Sequence, residues 1–247
     1  YSAEPGTIAS QMRNQHTHAM KLRNIFRSLI LPTFQPPCKR AATYTQDFTG
    51  AADGTTDLGD GSVIASNLDI AGFPVGQASV QGEELRLTED DVNSQRASFR
   101  IPAVANSSLV LLASTVLCLF DAAGGNPPAD GFSFNYGEIL PQTTLSGGPT
   151  GHGNAETGMG GTVISFAVDT WQDGGQGFNI WGATGTNRIN GNVLPSGVNV
   201  TGTATITWSP TSTSFTTTGL DTNASFINIP HTFVGNDSYG FSFSART

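Results

Sequence analysis

The chain's 247 residues carry 12% charged and 37% hydrophobic side chains, with 30 glycines, 13 prolines and two cysteines. Such a composition excludes a protein of long helices, a disordered chain and a disulfide framework, and no apolar run approaches the roughly 20 residues of a membrane-spanning helix. A net charge of −8 excludes the phosphate backbone of a nucleic acid as a natural partner.

The charge is unevenly spread. Residues 1–40 hold six basic residues and one acid, Glu4, whereas residues 41–247 hold five arginines, no lysine and eighteen acids, a net of −13. An acidic, lysine-free body is the kind met outside the cell, so a secreted or cell-surface location is expected. Within 1–40, Met20-Lys21-Leu22-Arg23 leads into Leu29-Ile30-Leu31 like an export signal. Arg27, Pro32, Pro36 and Pro37 then break the 7–15-residue apolar stretch that a signal needs. The segment reads equally as a basic, disordered leader or as a degraded signal, and it is set apart from the folded body, 41–247.

From residue 41 the period is two, the signature of half-buried strands. Strands are predicted near 43–49, 62–70, 78–88, 95–101 and 109–120. The last of these, LVLLASTVLCLF, is apolar throughout and suits a strand buried on both faces, with Cys118 as a small core residue. In 131–137, Phe132, Phe134 and Tyr136 share one face and Ser133 and Asn135 the other. The same alternation places Ile164, Phe166 and Val168 together in 162–170, and Val200, Ala204, Ile206 and Trp208 together in 198–208. Further strands are expected at 177–182, 186–190, 213–217, 224–229 and 238–245, where Tyr239, Phe241 and Phe243 align. Short strands punctuated by Gly, Pro, Asn and Asp predict an all-β antiparallel sandwich or barrel.

Two segments carry candidate chemistry. One is Asn126-Pro127-Pro128-Ala129-Asp130-Gly131-Phe132-Ser133-Phe134, in which Asp130 stands at the start of an aromatic strand. A carboxylate there accepts paired hydroxyls from a ligand, although an Asp-Gly pair is by itself an ordinary turn. The other is Val168-Asp169-Thr170-Trp171-Gln172-Asp173-Gly174-Gly175. Two acids four apart in a glycine-rich turn offer oxygens to a hard cation, or simply form a turn without metal. Trp171 and Trp181 add indoles that stack on a sugar face or pack at the rim.

These two segments resemble the L-type (legume-type) lectins and their bacterial, exported concanavalin A-like relatives, clearly over 126–182 and in outline over 41–247. The resemblance implies a concanavalin A-like antiparallel β-sandwich (jelly roll) that binds a glycan or polysaccharide. It implies Asp130 as the main sugar carboxylate, with Gly131 beside it, Gly160 as a main-chain N–H donor to the sugar and Trp171 at the sugar site. It also implies calcium ligands in Asp169, the Trp171 carbonyl and Asp173, with help from Gln176 or Asn179. The family's other metal ligands are missing, since Ala167 and Gly177 stand where it has acids, so a two-metal centre is not expected. Relatives continue past a Phe-Ser-Phe-Ser-Ala-Arg-Thr segment into one more strand, so the resemblance implies a body that lacks its final strand and is altered at 107–119.

Catalysis is not expected. A glycoside hydrolase on this fold needs two carboxylates about 5–5.5 Å apart for retention, and Ser165-Phe166-Ala167-Val168-Asp169 supplies one acid. No nucleophile elbow, zinc helix or phosphate loop is present. A structural or adhesive surface module without sugar binding is the competing reading, because a fold alone does not establish a function.

Overall fold

Large apolar residues alternating with small polar ones can satisfy both faces of a strand only if one face meets a second sheet, and that is how this chain folds. The computed structural model describes residues 20–22, 42–67, 73, 75–89, 95–108, 111–119, 131–139, 161–170, 176–184, 187–193 and 200–246, with 20–22 and 111–119 as backbone. Among them are strands and no helix, hence none long and apolar enough to cross a membrane. Numbered in chain order, the strands make two seven-stranded sheets. Sheet A runs, in spatial order, β13 (Ser225–Pro230), β12 (Ser212–Thr218), β11 (Val200–Trp208), β6 (Leu111–Leu119), β1 (Met20–Leu22), β4 (Glu84–Thr88) and β3 (Ser79–Gln81). Sheet B runs β10 (Arg188–Asn190), β9 (Gly177–Trp181), β8 (Thr162–Asp169), β7 (Gly131–Gly137), β14 (Gly240–Arg246), β5 (Arg96–Ile101) and β2 (Val63–Ser66). Neighbouring strands are antiparallel throughout.

The core lies between the sheets. Phe132, Phe134, Phe166, Val168, Ile206, Phe241 and Phe243, the inward residues that the alternation selects, are all buried. Trp208 of sheet A ties the layers together. Its ring stacks near Phe166 and Phe241 of sheet B, with centroids 6.3 and 6.2 Å apart, and lies 4.9 Å from Tyr136. Its buried Nε1–H donates to the Ser107 carbonyl at 2.9 Å, so the indole brings no unpaired donor inside. Phe215 reaches across in the same way to Phe166 and Phe178. Each such ring contributes about 1.5–3 kcal/mol by burial and about 0.5–1.5 kcal/mol more per aromatic pair.

Three expectations meet a different local structure. Residues 43–49 form no strand. The Gln46 and Asp47 side chains accept the backbone N–H groups of Phe48 and Thr49, and Phe48 turns to φ 56°, so local bonds replace a ladder. The single strand expected at 78–88 is a hairpin, β3 and β4, turned by Gly82 and Glu83, both at positive φ (58° and 59°), the geometry of the tight hairpin turn that matches strand twist. Finally, Met20–Leu22, from the segment that charge sets apart, forms β1 between β4 and β6, with Lys21 opposite both Arg86 and Cys118. At the other end of the chain, β14 is central in sheet B, bonded to β7 and β5.

Candidate functional site

The outward face of sheet B is polar and almost wholly buried. Ser98, Arg100, Ser133, Asn135, Ser165, Asp169, Asn179, Ser242 and Ser244 all alternate with core residues and therefore point away from the core, yet each is classed as buried. Small side chains on this face bond one another. The Asn135 amide donates to the Ser133 and Ser242 hydroxyls at 3.0 and 3.2 Å, and the Arg100 Nε–H donates to the Ser98 hydroxyl at 3.2 Å. Burial lowers the Arg100 pKa to about 10. Two polar atoms in adjacent strands, Oδ1 of Asn135 and Oγ of Ser165, are buried with no hydrogen-bond partner. In register, that row ends at Trp181, whose indole is 46% exposed at the end of β9.

The next feature is the end of sheet B where β7 begins, β8 ends and β9 begins. Gly131, Asp169, Gly177 and Asn190 lie side by side on four successive strands. Both glycines are dictated by close backbone approach. Gly131 has φ 145°, and a Cβ on it would lie 2.2 Å from the Val168 carbonyl oxygen; a Cβ on Gly177 would lie 2.1 Å from that of Ile189. Gly177, which carries no side chain, lies between Asp169 and Asn190 in register. The Arg188 guanidinium crosses there. Its Nη2 lies 3.2 Å from Asp169 Oδ2, and its Nε–H donates to Asn190 Oδ1. The Asp169 side chain is 11% exposed and that of Arg188 28%, so the pair is largely withdrawn from water.

Of the residues singled out in the sequence, Gly131 and Asp169 are brought together as direct cross-strand neighbours. Asp130, Gly160, Trp171 and Asp173 lie outside the described residues. The oxygens that are described do not fit a cage for a hard cation, which takes 6–8 oxygen ligands. The Asp169 carboxylate is engaged by a guanidinium, and Oε1 of Gln176 accepts the Val193 N–H at 2.6 Å. Among the described residues no group of three or more His, Cys, Asp or Glu could hold a metal ion.

Reading the sequence overlooked Arg188 and the buried polar face. Arg188 follows a glycine-rich loop and shows nothing of its destination until β10 pairs with β9. The polar face did leave a signal: its outward residues are mostly Ser and Asn, and not the Thr that strands favour.

No family model matches the chain, and no curated protein matches it. Among solved structures it is similar to lectin II from Ulex europaeus, at 11% identity over 76% of this chain and 85% of that one, with a TM-score of 0.52. It is also similar to lectin UEA-II complexed with galactose (10% identity, 76% and 85% covered, TM-score 0.48). A third is the VIP36 exoplasmic/lumenal domain in its Ca2+/Man3GlcNAc-bound form (12% identity, 77% and 78% covered, TM-score 0.46). Identities this low speak to architecture. The chain has the L-type lectin fold, an all-β antiparallel sandwich.

Proposed function

We propose that the chain is a non-catalytic, carbohydrate-binding domain of an exported bacterial protein, and that it holds a glycan where β7 begins and β8 ends. The observation that carries the reading is the pairing of Gly131 with Asp169 in a fold shared with a lectin. Asp130 is the residue before Gly131 in the chain, which supports a ligand at this end of sheet B. In this reading Asp130 accepts two sugar hydroxyls, the Gly160 N–H donates to the sugar, and Trp171 stacks on its apolar face. The absence of catalysis is supported by Asp169, the single acid of 162–169, which is committed to Arg188 and not poised as one of two carboxylates. Secretion or cell-surface display is supported by the acidic, lysine-free body.

A shallow site with few charged hydrogen bonds corresponds to roughly 4–6 kcal/mol, an affinity of about high micromolar to millimolar. The test is a broad glycan screen on the full chain, followed by calorimetry on wild type and Asp130→Asn. Because the resemblance assigns Asp169, the Trp171 carbonyl and Asp173 to calcium, each arm is run with calcium and with a chelator. Binding that Asp130→Asn abolishes, with unfolding unchanged, is the expected result. A screen with no Asp130-dependent ligand sinks the reading and leaves the structural or adhesive module in its place.

A further inference from the structure

We propose that the Arg188 guanidinium is the built-in counter-cation of Asp169, standing where the resemblance assigns calcium, so that this end of sheet B keeps its shape without metal. The inference holds whether or not a glycan binds. It begins with charge: Asp169 is an acid held at the end of a strand, its side chain 11% exposed, and a carboxylate so withdrawn from water needs a partner. Arg188 supplies it at 3.2 Å. The partner is aimed, since Asn190 Oδ1 accepts the Nε–H and orients the planar group.

Gly177 lies between Asp169 and Asn190 in register, and the close Ile189 carbonyl forces it to lack a Cβ. Among the described residues, Gln176 Oε1 is already engaged by the Val193 N–H. A divalent ion at Asp169 would have to sit against a guanidinium of like charge. One side chain from the next hairpin therefore does what a bound ion does in other loops: it neutralises the acid and ties β8, β9 and β10 together.

The experiment is a calcium titration of the chelator-treated full chain by calorimetry, with the unfolding midpoint followed in parallel. Wild type is expected to show no saturable heat and a midpoint that calcium and chelator leave unchanged. Arg188→Met keeps the aliphatic stem and removes the charge. It is expected to lower the midpoint by about 3–8 °C, and millimolar calcium should restore part of that loss through the uncovered carboxylate. Arg188→Lys, which keeps the charge without the fork, should fall between. Saturable calcium binding by wild type that raises the midpoint and is lost in Asp169→Asn overturns the proposal, as does a wild-type midpoint in Arg188→Met. Should the Arg188 variants fail to fold, the wild-type titration decides alone.

Discussion

In β11, Thr203, Thr205 and Thr207 point away from the core and are half-buried; in β7 and β14, Ser133, Asn135, Ser242 and Ser244 point away from it just as regularly and are buried. Both strand types obey the same period of two, and both turn their aromatic and aliphatic residues toward the space between the sheets. What differs is the polar half. Threonine is branched at Cβ and suits an open pleated surface, where its hydroxyl faces water. Serine and asparagine are smaller and bond sideways, as Asn135 does to Ser133 and Ser242. A polar face made of them can be covered without losing its hydrogen bonds. Around β11, sheet A therefore presents a tolerant surface, whereas the polar face of β7 and β14 in sheet B is a second packed layer that reaches Gly131 and Asp169 at one end.

The comparison can be broken most forcefully at Gly131. Gly131→Val places a branched Cβ against the Val168 carbonyl at positive φ and is expected to cost more than about 3 kcal/mol. Thr205→Val on sheet A should stay within about 0.5 kcal/mol; denaturant unfolding measures both. Next comes deletion of residues 1–40. Sheet B closes within residues 63–246, whereas sheet A contains β1 between β4 and β6. Removing β1 forfeits a few ladder bonds at about 1 kcal/mol each and bares two edges, so a loss of about 2–3 kcal/mol and greater aggregation are expected. An unchanged midpoint after the deletion would mean that sheet A does not need β1.

A matched pair then tests the two polar faces directly. Ser242→Leu overfills a packed layer and should cost about 2 kcal/mol, while Thr205→Leu should be close to neutral; equal effects would erase the distinction between the sheets. The smallest effect has the opposite sign. Ser165 Oγ is buried without a partner, so Ser165→Ala removes an unsatisfied hydroxyl and should stabilise by about 1 kcal/mol, seen as a higher midpoint with an unchanged slope. A loss of stability in Ser165→Ala would show that its hydroxyl is bonded in solution.

The amino-acid sequence by itself determined that the body is antiparallel all-β and which residues enter its core; the sandwich rather than a barrel came from the resemblance and the paired sheets. Phe132, Phe134, Phe166, Phe241 and Phe243 declare their side of the strand by parity alone, and parity is a local property. Local chemistry also misled: Gln46 and Asp47 look like strand residues until their side chains are seen bonding the backbone, and Gly82-Glu83 makes a hairpin turn inside one alternating polar and apolar stretch. Of the candidate site, the sequence marked Gly131 and Asp169 as separate motifs, and β7–β8 register made them neighbours. Only the tertiary structure could show that Ser133 and Thr205 live on different kinds of surface, or that Arg188 reaches Asp169 from two strands away. Those facts depend on which strand lies beside which and on what covers a face, and both are set by pairings between residues far apart in the chain, to which no local pattern has access.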